Sequence, residues 1–174
     1  MQQPIILPVN GHHPQIGENV FIAPNATIVG EVIIGNNCSF WFNTVVRGDV
    51  HRIEIGQNSN IQDGAILHCT YQKAALKIGN EVSIGHGAIV HGCTIHDRVL
   101  IGMGAKVLDH AVIESEVIIA AGAIVLENFH AESGYLYAGI PARKIKPLTD
   151  AQKELLKRTA NNYILYSSWF TDNE

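Results

Sequence analysis

A large apolar residue recurs at every sixth position along much of this chain, and that period most limits what the chain can become. From Ile16 the comb runs Ile16, Ile22, Ile28, Ile34, Phe40, Val46. Four places after each come Val20, Ala26, Val32, Cys38, Thr44 and Val50, all small or β-branched. A second comb runs Ile89, Ile95, Ile101, Val107, Ile113, Ile119, Val125, and its companions begin Cys93, Val99, Ala105, Ala111, Val117, Ala123. Shorter runs stand between them, at Ile55 and Ile61 and at Ile78 and Ile84. A period of six is neither the 3.6 of a helix nor the 2 of a simple strand. Directly after the anchors come "IGEN", "IGNN", "IGQN", "IGNE" and "IGMG", rich in residues that accept tight turns and positive φ.

Each hexad therefore reads as a short strand plus a corner, and three hexads as a triangular coil of about eighteen residues whose anchors stack inward into one dry column. From Ile16 to Val125 this makes about six coils of a solenoid. A β-sandwich would show turn signals at irregular spacings of about 8–12 residues, not a six-residue comb. By its hexads the chain resembles the left-handed β-helices of bacterial acyltransferases and carbonic anhydrases, and the handedness is what that resemblance implies. The fold expected is all-β: a left-handed parallel β-helix over residues 1–147, closed near "YLYAGIPARKIKP", with a C-terminal α-helix over 148–174 packed on the prism as part of a single domain. Thr149 and Gln152 form a capping-box signature. Leu156, Ala160, Tyr163 and Ser167 share one face of that helix, with Leu155 and Ile164 flanking.

Composition bears on partners. Hydrophobic residues make up 47% and charged residues 16%, a low charge content that suits a chain burying part of its surface against other subunits. The net charge of −4 and the absence of a Lys/Arg cluster argue against nucleic acid or an anionic membrane. No apolar run reaches the roughly 18 residues of a membrane helix, and "MQQPIILPVNGHHP" lacks the basic region of a signal peptide. Cys38, Cys69 and Cys93 are odd in number and unpatterned, which points to reduced thiols in the cytoplasm.

Three of the nine histidines interrupt the comb: His68 in "GAILHC", and His86 and His91 in "GHGAIVHG". His68 and His86 are eighteen residues apart, one full coil, so they are expected at the same corner of successive coils, with "CTYQKAALK" absorbed without surplus. Each of the three sits two after an isoleucine (Ile66, Ile84, Ile89), an outward register, although counting sixes from Ile61 makes Leu67 the anchor instead. His86 and His91 are nearly one side of the triangle apart, roughly 15 Å. A zinc ion holds nitrogens at about 2.0–2.1 Å, so these two cannot share a metal within one chain, and two or more chains must meet. Which chain gives which ligand stays open. The other six histidines read as solvated surface. Arg47, Asp49, Asn60, Gln62 and Asp63 lie just before His68, and coil-to-coil comparison puts Arg47 near Gln62 and Asp63. These polar side chains are suited to orienting ligands, or to nothing more than corner amides and a surface ion pair.

"RGD" at 47–49, "NIQDGAILH" at 60–68 and "GHGAIVHG" at 85–92 together resemble the γ-class carbonic anhydrase family, and the resemblance covers nearly the whole chain. It implies a homotrimer with zinc at subunit interfaces, held by His68, His86 and His91. It further implies Arg47 and Asp49 as the interface pair, Gln62 beside the reactive solvent, Asp63 as its acidic neighbour, and Tyr163 at the rim. The implied chemistry is reversible hydration of CO2 to bicarbonate by hydroxide on zinc. Iron or cobalt would also suit three imidazoles. The archetypal acidic loop is missing: "CTYQKAALK" has no acidic residue, and Val50 replaces the acidic residue after Arg-x-Asp. Proton release then falls to buffer or to Tyr71, and weak activity is implied, as in a short bacterial branch. Two other readings are an acetyl-CoA-dependent acyltransferase, which needs one histidine as general base, and a non-catalytic trimer stapled by metal.

Overall fold

The computed structural model describes residues 3–171 and is a triangular prism: a left-handed parallel β-helix with one long helix against it. One face is a column of seven parallel rungs, and the antiparallel strand Arg143–Pro147 closes it against Tyr135–Ala138. The other two faces join into a single hydrogen-bonded sheet, because Thr27–Ile34 and Val45–Ile55 run without a break around the corner between them. We call the face carrying Ile5–Leu7, Ile66–His68 and Ile89–His91 the first, and the face carrying Gln15–Ile16, Leu76–Ile78 and Thr94–Ile95 the second. The face with Phe21–Ile22, Ser39–Phe40 and Ser83–Ile84 is the third.

Most of the hexad anchors fill the prism as the period predicts, but Ile16 is exposed and Ile89 yields its inward place to Val90. Ile28, Phe40, Val46, Ile61, Ile84, Ile101, Val107, Ile113, Ile119 and Val125 are all fully buried. The companions are small because they sit where two walls converge. Asn19, Asn37 and Asn58 take positive φ at one corner, and their side chains hydrogen-bond in a ladder from coil to coil. Each face has seven rungs against about six coils counted from the comb, because Ile5–Leu7 and Tyr135–Ala138 pair onto the two ends without carrying the hexad signature.

The coils are not uniform. Ile22, Phe40, Ile61, Ile84, Ile101, Ile119 and Tyr137 stand in one column, so successive coils take 18, 21, 23, 17, 18 and 18 residues. The surplus of the second and third coils leaves the prism at one corner, between the first and second faces. There the Thr27–Ile34 and Val45–Ile55 strands fall out of step, and Thr70 bridges to Ala74 around an exposed turn. The expectation that "CTYQKAALK" adds nothing to its coil is corrected: it loops out.

Helix α1 (Asp150–Thr171) begins at a formed capping box, in which the Gln152 amide donates to Thr149 Oγ1 and Gln152 Oε1 accepts from the Thr149 amide. It lies along the third face. Leu156 packs with Leu148 and Ile118 near the last coils, and Phe170 meets Phe21, Trp41 and Phe42 near the first. The outward column of the third face is thereby buried, including Ser39, Asn60 and Ser83. The polar atoms of that column bond to one another or to their neighbours: Asn60 Nδ2 donates to Ser83 Oγ, and Trp41 Nε1 donates to Ser39 Oγ. Among the described residues no helix is long and apolar enough to cross a membrane.

Candidate functional site

The irregular corner carries the chemistry. Leu67 and Val90, not Ile66 and Ile89, are the inward anchors of their coils, and both are fully buried while Ile66 is 41% exposed. His68 and His91 each follow such an anchor directly, and the strand register places them side by side. His68 Nδ1 and His91 Nε2 are 3.0 Å apart. The far nitrogen of each ring meets a carboxylate: His68 Nε2 lies 3.2 Å from Asp49 Oδ1, and His91 Nδ1 lies 2.5 Å from Asp109 Oδ1. A carboxylate only accepts, so each far nitrogen carries the proton. With both far nitrogens protonated, the two facing nitrogens turn lone pairs towards each other, an arrangement that a shared proton or a bound cation would relieve.

Electrostatics favours the neutral form of His68. Burial lowers the affinity of His68 for a proton, Arg47's charge lowers it further, and together they outweigh Asp49. Desolvation would raise the Asp49 carboxyl, but hydrogen bonds from Arg47 and His68 overcome this and hold it below the ordinary carboxylate range. Arg47 Nη1 bonds Asp49 Oδ2 at 2.5 Å. Val46 stands opposite Leu67, so Arg47 is next to His68 along the paired strands. The expectation that Arg47 lies near Gln62 and Asp63 is corrected, because the three-residue surplus in its own coil shifts the comparison.

The opposite edge of the first face, at the corner with the third, carries the rest. His86 follows Ile84 by two and turns outward at this corner, where its Nδ1 lies 2.9 Å from Asp63 Oδ2. An apolar cleft between helix α1 and the third face is lined by Gln62, His86, Gly102, Met103, Ala121, Leu155 and Tyr163. Gln62 is almost fully buried, and its Nε2 donates to Asn60 Oδ1. Tyr163 packs edge-on against Trp41, and its hydroxyl is pushed up to about 12 by burial and by nearby Asp63.

The eight residues singled out from the sequence thus fall into two groups. Arg47, Asp49, His68 and His91 share one edge; Gln62, Asp63, His86 and Tyr163 share the other. The expectation that all three histidines share a register is corrected. His68 pairs with His91 across the 23-residue coil, not with His86 across eighteen, because the excursion after Cys69 adds five residues. Among the described residues of one chain, no group of three or more His, Cys, Asp or Glu side chains is placed to hold a metal. Asp109 and Thr70 were not singled out from sequence. The signal for Asp109 was available, since it stands eighteen residues after His91, one regular coil on.

The three faces have different coverings. The third lies under α1. The second points Gln15, Glu54, Lys77, Thr94 and His130 outward in register with Ile33 and Val112. The first points Ile5, Thr27, Val45, Ile66 and Ile89 outward in one column, with Lys106 and Ile124 below. Beside them run Leu7, Val29, Arg47, His68 and His91. Both candidate edges border this bare, mostly apolar face.

Residues 13–48 and 92–127 match a family described as bacterial transferase hexapeptide (six repeats). The chain is 41% identical to Protein YrdA of Escherichia coli, over 97% of this chain and 95% of that protein. It is 38% identical to a carbonic anhydrase of Geobacillus kaustophilus, over 92% of this chain and 87% of that one. The crystal structure of a hexapeptide transferase family protein from Anaplasma phagocytophilum superposes with a TM-score of 0.92 at 39% identity, covering 95% of this chain and 98% of that one.

Proposed function

The chain belongs to the γ-carbonic-anhydrase-like family of hexapeptide-repeat proteins, and from that membership we propose that it is a metal-dependent hydratase of CO2 built from three copies of itself. The observation that carries the reading is the facing pair His68 Nδ1 and His91 Nε2 at 3.0 Å. Two nitrogens on a tetrahedral zinc, each at about 2.0–2.1 Å, stand about 3.3 Å apart. The residues fit such an ion within a few tenths of an ångström, with both rings backed by carboxylates as ligand histidines usually are. Two ligands are short of a site, and the third would be His86 from a neighbouring copy. The bare apolar first face supports this, because it lies between the two half-sites and is the surface a second copy would cover. Zinc is the ion we assign, and a three-imidazole set also accepts iron or cobalt.

His68 and His91 of one copy with His86 of a neighbour would hold the metal, which would supply the Lewis acidity to activate water near neutral pH. The chain's own groups do the rest. Asp49 and Asp109 hold the His68 and His91 rings in the tautomers that leave Nδ1 and Nε2 free. Asp63 does the same for His86, whose Nε2 is then the ligand atom. Gln62, with one N–H held by Asn60 Oδ1, leaves Oε1 to accept a hydrogen bond from a water at the site. The apolar cleft beside His86 admits an uncharged substrate and excludes bulk water. With Tyr163 protonated at neutral pH, its hydroxyl donates to a product oxygen rather than taking up the released proton. That proton leaves to buffer. The three buried, unpaired thiols suit a reducing compartment, the cytoplasm.

A second reading is favoured by the His86–Asp63 pair at the mouth of the apolar cleft, which is also the layout of a general base with its orienting carboxylate. On that reading the chain transfers an acyl group from coenzyme A. Zinc content per trimer with stopped-flow CO2 hydration separates the two. Stoichiometric metal with hydration supports ours, and a metal-free protein that transfers acetyl groups overturns it. Metal without hydration under zinc, iron or cobalt points to a structural staple.

A further inference from the structure

Resting on the reading of His91 as a metal ligand, we propose that Asp109, seated by Thr70 and admitted by Gly92, is a positioning residue that fixes the His91 ring with its proton on Nδ1. Asp109 stands one coil beyond His91, at the same corner. Its Oδ1 is 2.5 Å from His91 Nδ1, and its Oδ2 accepts a hydrogen bond from Thr70 Oγ1, also at 2.5 Å. Both carboxylate oxygens are thus taken, and the carboxylate cannot rotate away without losing one partner. With the Thr70 hydroxyl donating to one oxygen and the imidazole nitrogen facing the other, the carboxylate serves as an acceptor on both sides.

Two features of the chain serve this contact. Thr70 lies on the five-residue excursion, whose neck is tied by backbone hydrogen bonds between Thr70 and Ala74. The surplus that brings His68 and His91 into register therefore also delivers the hydroxyl that seats Asp109. Gly92, at φ +51°, leaves the gap through which the carboxylate reaches. A Cβ there would stand 2.4 Å from Asp109 Oδ1 and 2.7 Å from Ala74 Cβ. The Gly92 amide donates to the His68 carbonyl and its carbonyl accepts from the His110 amide, so the glycine is locked between the coils it separates.

The test uses the full chain and two measurements. Nitrogen-15 correlation spectra of the metal-free protein at neutral pH report which nitrogen of His91 carries the proton. Competition with a chromophoric chelator reports zinc affinity. Wild type is expected to show His91 protonated at Nδ1. Asp109→Ala is expected to lose that preference and to bind zinc roughly 10- to 100-fold more weakly, with an unchanged circular dichroism spectrum. Asp109→Asn keeps an acceptor oxygen and should recover the tautomer and part of the affinity. Gly92→Ala keeps every polar group, yet should weaken zinc binding by displacing the carboxylate. Wild-type His91 protonated at Nε2, or Asp109→Ala within twofold of wild type for zinc, overturns the proposal. A wild type that binds no zinc overturns the ligand reading instead, and the tautomer measurement still decides the hold of Asp109 on the ring.

Discussion

The two facing imidazoles divide the labour of the site unequally, because His91 is clamped from behind more tightly than His68. Replacing His91 by alanine is expected to abolish stoichiometric zinc while leaving most of the β-helix intact, as checked by elemental analysis and circular dichroism. Surviving metal stoichiometry would remove the three-ligand reading. The thiols give a second expectation. Burial pushes Cys38 and Cys69 from 9.0 up to about 11, so the folded chain must keep them protonated where the unfolded chain ionises. Stability should be unaffected by these groups below pH 9 and should fall as the pH rises from 9 towards 11. Denaturant melts across that range check this, as does slow labelling by iodoacetamide at pH 8 that becomes fast in denaturant. The three histidines were legible in the sequence because they break an otherwise apolar comb. The position of Asp109 was legible too, one regular coil after His91, but its role was not, because a lone aspartate at a corner is what any turn of this fold tolerates and side-chain direction is not carried by periodicity.

At the scale of elements, the excursion after Cys69 and the helix α1 are separable. Removing residues 70–73 should leave a folded prism, since no anchor is lost, but should greatly weaken zinc binding by taking Thr70 from Asp109. Chelator competition and circular dichroism read the two effects apart. Leu156→Ala empties a site packed by Ile118 and Leu148 and should cost about 2–5 kcal/mol, measured by denaturant unfolding. The helix was readable from its capping box and its Leu156–Ala160–Tyr163 stripe. The excursion was not readable in the same way. A count of residues between two histidines gives the sum of coil and loop, and only the hydrogen-bonded register of His68 with His91 divides it. Counting from Ile61 to Leu67 carried the right phase, and the burial of Leu67 is the physical reason: the wall can turn only one of two adjacent aliphatics inward.

For the whole molecule, the proposed trimer rests on the first face. Ile66→Arg places a charge in the middle of its apolar column without touching a ligand. It is expected to convert a species of about three times the 19.0 kDa chain mass into monomers, with zinc lost in parallel, as seen by sedimentation and elemental analysis. Monomers that keep their metal would show that the site is complete in one chain. The prism was legible because its period is strict. The distinct fates of its three faces were not, because inward anchors dominate the comb and the outward columns emerge only when coils of unequal length are laid on one another. Helix α1 has one more consequence. A stack of coils touches only its neighbours, so an uncovered solenoid can fray from either end and need not melt all at once. Of the 22 residues of α1, those from Leu156 on the late coils to Phe170 against Phe21 on the first rung of its face rise about 21 Å. The helix therefore acts as a tie rod between the two ends, and loss of either end coil must loosen the other.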